Sequence, residues 1–273
     1  MVHEVIPRTE LVRTRDGSEI EVVVVGDRPT VILIPSARRG ADDFATLAHD
    51  LWGAGYSSVA VNLRGIGRSS APFERPTLRD VADDIADVVG AMGGEPMHVV
   101  GHAQGNVLAR ATAAYRPEVV RTVALLACGG HDLADSPPSA HIIEHFERCG
   151  RDDLTEDERI RSLGIVFFAP GNDASSWLRG WWPGSDLRVA LENTDASEWA
   201  TAGEADILLV QPLEDALSAP HVGRTLHEMI GRRSTYVEVP RCGHAMLPEQ
   251  PELIARALIS FLRAHDDDLG AGS

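Results

Sequence analysis

Cysteine is scarce in this chain. The three present among 273 residues are Cys128, Cys149 and Cys242. They form no C-x-x-C pair, which leaves no disulfide framework and no structural zinc site of the usual spacing. No apolar run approaches the length of a membrane span. Residues Met1–Pro7 lack the basic and apolar regions of a signal peptide, so a reducing cytoplasm is the expected compartment. Positive charge is outnumbered: 25 Lys and Arg against 41 Asp and Glu leave a net charge of −16 and a pI near 5.0. That balance argues against nucleic acid or an anionic membrane as partner. No internal repeat is visible.

What is present is a globular composition, 44% apolar, in which short β-branched runs alternate with amphipathic segments. The alternation predicts a mainly parallel sheet covered by helices. An antiparallel pair is expected at Glu10–Arg13 and Glu19–Val25 around Asp16-Gly17. Buried strands are expected at Thr30–Ile34, Ser57–Asn62, Met97–Gly101, Thr122–Ala127, Ile207–Gln211 and Thr235–Val239. Helices fit Asp42–Ala54, Leu78–Met92, Gln104–Tyr115, Ala219–Ile230 and Pro251–His265. The last of these carries Leu253, Ile254, Ala257, Leu258 and Phe261 on one face. The acidic, then glycine-rich tail 266–273 is expected to be disordered.

One interval breaks the rhythm. From 131 to 199 the pattern contains short helices, no convincing strand, and the cluster Trp177, Trp181 and Trp182. This predicts a helical cap inserted into a core made of 1–130 and 200–265.

Another absence is the more informative one. Gly101-His102-Ala103-Gln104-Gly105 has the frame of a nucleophile elbow, Gly-x-Ser-x-Gly, between a buried strand and a helix. Its central residue has only a methyl group.

Three separated motifs make the chain resemble the capped α/β-hydrolases over nearly its full length. They are Val59-Ala60-Val61-Asn62-Leu63-Arg64-Gly65-Ile66-Gly67-Arg68-Ser69, the elbow at 101–105, and the downstream acid and histidine loops. Asn62 stands where that family usually has aspartate. The resemblance implies an α/β-hydrolase fold, a mostly parallel eight-stranded sheet flanked by helices with a helical cap insertion. It also implies a triad of nucleophile position 103, Asp215 and His244, in that chain order. His244, in Cys242-Gly243-His244-Ala245-Met246, would be the general base. Asp215 would orient it, with Glu214 and Asp132 as competing acids.

The oxyanion hole would use the backbone N–H groups of Gln104 and Ala37, although Pro35-Ser36-Ala37 lacks the family's usual His-Gly. Arg38 and Arg39 either meet a polar or anionic substrate group or remain solvated. His102 either shapes the pocket or packs beside the turn. Trp177, Trp181 and Trp182 either wall an apolar substrate or form the cap's own core. Cys242, off the elbow, is read as a packing residue.

Gly-His-x-Gln-Gly resembles the serine-dependent ester, lactone and C–C bond hydrolases more than the members with an aspartate nucleophile. The expected activity is therefore cleavage of a small, hydrophobic carboxylic ester or lactone through an acyl-serine, without metal or organic cofactor. Alanine at 103 is expected to be a Ser→Ala change that disables the enzyme. The alternatives are a C–C bond hydrolase, or a natural ligand-binding relative that lacks the nucleophile.

Overall fold

The computed structural model describes residues 5–128, 137–182, 185 and 187–270, with side chains to Asp266. Eight strands form one sheet: β1 Arg8–Arg13, β2 Glu19–Val25, β3 Pro29–Ile34, β4 Ser57–Val61, β5 Met97–His102, β6 Val120–Leu126, β7 Ile207–Pro212 and β8 Ser234–Val239. Their order is β1-β2-β4-β3-β5-β6-β7-β8. β2 runs against both its neighbours, β1 and β4, and the pairs from β4 to β8 are parallel. This is the arrangement the resemblance implies.

The central strands read as nearly continuous apolar runs because helices cover both faces. On one face, α2 (Leu78–Ala91), α3 (Gln104–Tyr115) and α7 (Pro220–Ile230) bury Ile85, Val89, Leu108 and Leu226 against Val99, Val123 and Leu209. On the other, α1 (Ala45–Gly53) and α9 (Pro251–Gly270) bury Leu51, Ile254, Leu258 and Phe261 against Leu33, Val100 and Val210. α2 starts at a capping box in which Thr77 and Asp80 bond each other's backbone N–H.

Two expected helix boundaries shift by more than one residue. The helix expected at Asp42–Ala54 opens as a 3-10 turn, Ala41–Phe44, before α1. The last helix does not end at His265. Asp266, expected in a disordered tail, accepts hydrogen bonds from the Tyr56 hydroxyl (3.0 Å) and Arg121 (2.7 Å), and α9 continues to Gly270.

Between β6 and β7 lie α4 (Ala140–Cys149), α5 (Glu156–Val166), a 3-10 turn at Ala174–Trp177, and α6 (Arg188–Glu192). α4 and α5 pair and close over a cluster containing Cys149, Leu163, Phe167, Phe168, Trp177 and, from the core, Ala245. Leu187, Ala190 and Trp199 pack instead into the cluster around α2 and α3. The expected start of the cap at 131 and the competing acid Asp132 lie outside the described residues. Among the described residues no helix is long and apolar enough to cross a membrane.

Candidate active site

β5 ends at His102 and α3 begins at Gln104, so Ala103 makes the whole turn between them. Its backbone sits at φ 52°, ψ −113°, a region that costs a residue with a Cβ roughly 1–3 kcal/mol. The flanking glycines explain how the turn closes. A Cβ on Gly101 would meet the Gly105 carbonyl, and a Cβ on Gly105 would meet the carbonyls of Ile34 and Pro35. Ala103 donates its N–H to Leu126 O at 2.8 Å, which ties the turn to the end of β6. Its side chain is buried.

Gln104 is the first residue of α3, where N–H groups have no partner within the helix. Among the described residues neither its N–H nor that of Ala37 has an acceptor, whereas Arg38 N–H donates to Ser185 O and Arg39 N–H to Ser36 O. The two positions expected to donate to an oxyanion thus retain their donors. The Gln104 side chain acts elsewhere, its Oε1 accepting Leu187 N–H at 2.9 Å.

His244 and Asp215 come together from loops after β8 and β7. His244 Nδ1 lies 2.8 Å from Asp215 Oδ2. Asp215 Oδ1 accepts the N–H groups of Leu217 (2.8 Å) and Ser218 (2.9 Å), which fixes the carboxylate. With a carboxylate at Nδ1, the proton belongs on Nδ1 and Nε2 is left without one. Glu214, the competing acid, turns away and accepts Arg241 N–H at 3.1 Å.

The histidine loop is gripped from the segment between β6 and β7. Ala245 N–H donates to Phe167 O at 2.8 Å. The Glu249 carboxylate accepts Gly243 N–H and, at 2.7 Å, Ala169 N–H. Gly243 must lack a side chain, because a Cβ there would sit 2.6 Å from Phe167 O.

His102 lies under the same loop, fully buried, and its Nε2 is 2.8 Å from His244 O. A carbonyl only accepts, so Nε2 carries the proton. Burial, against the opposing hydrogen bond to the His244 carbonyl, pushes its pKa down to about 3, and the ring stays neutral.

The three tryptophans divide. Trp177 is buried against Phe167 (ring centroids 5.1 Å) and touches His102 edge-on (5.9 Å). Trp181 packs on Phe167 (5.6 Å) and donates its indole N–H to Trp177 O at 2.7 Å. Trp182 is 39% exposed and gives its backbone N–H to Arg38 O. Arg38 faces α4, 3.5 Å from Glu147 and over the Phe146 ring. Phe167 also packs on the His244 ring (5.8 Å). Trp177 additionally borders a cavity of about 160 Å³ shared with Asp42, Asp43, Leu247 and Pro251.

Arg39 is not a solvated loop residue. At 3% exposure it pairs bidentately with Asp43 and donates to Arg179 O (2.7 Å). Its guanidinium also stacks on Trp177 and Trp181. The sequence signal was its four-residue spacing from Asp43. Nothing local marked Glu249 or the Gln104 side chain, whose partners are distant in the chain. All three cysteines are buried, and burial raises their thiol pKa values, Cys149 to about 12, so none supplies a ready thiolate. Among the described residues no cluster of three His, Cys, Asp or Glu is placed to hold a metal ion.

Comparison with known proteins agrees with the fold. The model of the alpha/beta hydrolase family matches residues 31–257. By sequence the chain is 25% identical over 232 residues to the "Putative non-heme bromoperoxidase BpoC" of Mycobacterium tuberculosis, covering 76% of this chain and 83% of that protein. By structure it is similar to an esterase, EaEST, from Exiguobacterium antarcticum (TM-score 0.78, 18% identity, 94% of this chain and 100% of that one). It is similar also to the esterase RhEst1 from Rhodococcus sp. ECU1013 (TM-score 0.76, 20% identity, 93% and 98%).

Proposed function

Because the chain belongs to the alpha/beta hydrolase family, we propose that its site is built to cleave a carboxylic ester or lactone through an acyl-enzyme at position 103, and that alanine there stops it at binding. The observation that carries this is the backbone of Ala103. A residue with a Cβ is held at positive φ between two glycines that admit no side chain. That strain is sensible where a reactive side chain must be presented, and it has no evident use for a methyl group.

With a hydroxyl at 103, His244 Nε2 takes its proton as the oxygen attacks the substrate carbonyl. The tetrahedral oxyanion is held by the N–H groups of Ala37 and Gln104. His244 then returns the proton to the departing alkoxide, and water repeats the sequence to release the acid. Asp215 keeps the proton on Nδ1 and stabilises the imidazolium. The route requires no metal or organic cofactor. Without the hydroxyl, the first step has no nucleophile, while the donors and the pocket persist. The esterases among the structural relatives support an ester in kind. The aromatic side chains Phe167 and Trp177 beside His244 and His102 support a hydrophobic acyl or alcohol group. We assign Arg38 to a polar group of the substrate and the half-exposed Trp182 to its apolar wall.

The test is hydrolysis of a panel of aryl esters and lactones by this chain and by Ala103→Ser. Turnover rising by at least about a thousandfold, with acid and alcohol as products and loss on adding His244→Ala, supports the proposal. A folded Ala103→Ser protein inert across the panel refutes it.

A further inference from the structure

The histidine loop is held from two sides. Ala245 N–H on Phe167 O, and Gly243 N–H on Glu249, attach it to the cap and to its own following helix, α8 (Met246–Glu249). Neither bond reaches the elbow. The His102 ring does: it sits one residue before Ala103 and its Nε2–H donates to the carbonyl of His244 itself. Asp215 fixes the imidazole of His244 through Nδ1, and of these bonds only the one from His102 ties the His244 backbone to the strand that ends at the elbow.

We propose that His102 is the positioning residue of the site: its Nε2–H···O=C bond to His244 sets the separation between the general base and position 103. This rests on the function proposed above. Three physical features suit the bond to that role. The donor is on the last residue of β5, the central strand whose backbone is paired on both sides, so it is a rigid reference. The ring is wedged between Trp177 (5.9 Å) and His244 (5.8 Å), which restricts its rotation. Its burial keeps it neutral through the pH range in which a base must work, so the bond does not change when His244 takes a proton. The cost is visible too. Among the described residues Nδ1 of His102 is buried with no partner. An unpaired acceptor is destabilising, and a leucine or phenylalanine at 102 would fill the space without it. What the histidine supplies and those side chains lack is the Nε2 donor.

Two substitutions separate positioning from packing. In the Ala103→Ser background, His102→Phe fills the site without a donor and His102→Gln keeps a donor at the Nε2 position. Misplacing a base by about 1 Å costs about a hundredfold. The expected result is therefore a kcat fall of at least about tenfold for His102→Phe with KM within about twofold, and recovery of most of that loss in His102→Gln. A folded His102→Phe enzyme with the parent's kcat overturns the proposal.

Two arms do not depend on turnover. In the unmodified chain, ring ¹⁵N–¹H correlations should show His102 as the Nε2–H tautomer with a slowly exchanging proton; an Nδ1–H tautomer contradicts the bond and the proposal with it. In the same background, the downfield His244 Nδ1 proton shared with Asp215 should broaden in His102→Phe and persist in His102→Gln; persistence in both overturns the positioning role. If Ala103→Ser is inert, these two readouts still decide the role of His102, whereas the inert panel counts against the proposed function alone.

Discussion

Gln104 Oε1 accepts Leu187 N–H at 2.9 Å, so the residue after the nucleophile position also holds the returning end of the insertion. Its backbone and side chain thus differ: the N–H has no acceptor among the described residues, and the amide oxygen anchors the chain that covers one side of the elbow. Substituting the side chain separates the two roles.

Gln104→Ala should leave the backbone donor in place and release Leu187. One hydrogen bond contributes about 1 kcal/mol net, so amide exchange around Leu187 and Ala190 should quicken by roughly fivefold while β5 and α3 stay protected. Hydrogen exchange read by mass spectrometry checks this. Unchanged exchange at Leu187 would mean the bond does not hold the segment.

Arg39 and Asp43 form a buried pair beside the tryptophans. Burial raises the Asp43 carboxyl pKa, and the Arg39 guanidinium opposes that rise. Removing one partner strands the other, so Arg39→Met should cost about 3–5 kcal/mol in urea unfolding. Adding Asp43→Leu should restore much of the loss. Equal stability for the single and double variants would contradict the pairing.

Two buried histidines make stability fall on acidification. The pKa of His98 is lowered by burial against the opposing pull of Asp266, and that of His102 is lowered to about 3. Both therefore bind a proton more readily when unfolded. Their contribution is complete above the unfolded value near 6.5 and is lost as pH falls toward the folded values, at up to about 1.4 kcal/mol per pH unit for each. Urea midpoints at pH 7.5 and 5.0 should fall less in His102→Gln than in the parent. Parallel losses would show that His102 is not neutral in the folded protein.

Gly105 has no space for a methyl group against Ile34 and Pro35. Gly105→Ala should destabilise the protein by at least about 1–3 kcal/mol, since the clash is with backbone that cannot rotate aside. Thermal unfolding reads this directly. A neutral substitution would mean that the elbow can open without cost.

Local pattern carried most of the architecture. β2 spans Glu19–Val25 and α3 spans Gln104–Tyr115, as periodicity and turn residues predict. The Asp215–His244 pair was readable through the family resemblance, since each residue follows a recognisable strand as that resemblance requires. What escaped depends on partners far along the chain. Asp266 looks like the start of a loose acidic tail until Tyr56 and Arg121, from two other elements, bond it. Arg39 looks solvated until the segment between β6 and β7 places Trp177 and Trp181 over it. The donation from His102 to a backbone carbonyl 142 residues away carries no trace in either segment.

The most direct measurement is covalent trapping. Ala103→Ser should react with an aryl phosphonate to one equivalent, mapped by peptide mass spectrometry to the introduced hydroxyl, and His244→Ala should slow that reaction by several orders of magnitude. The unmodified chain should remain unlabelled. A correctly folded Ala103→Ser protein that resists labelling, or that labels equally fast without His244, would contradict the claim that position 103 is the nucleophile site of an otherwise assembled hydrolase.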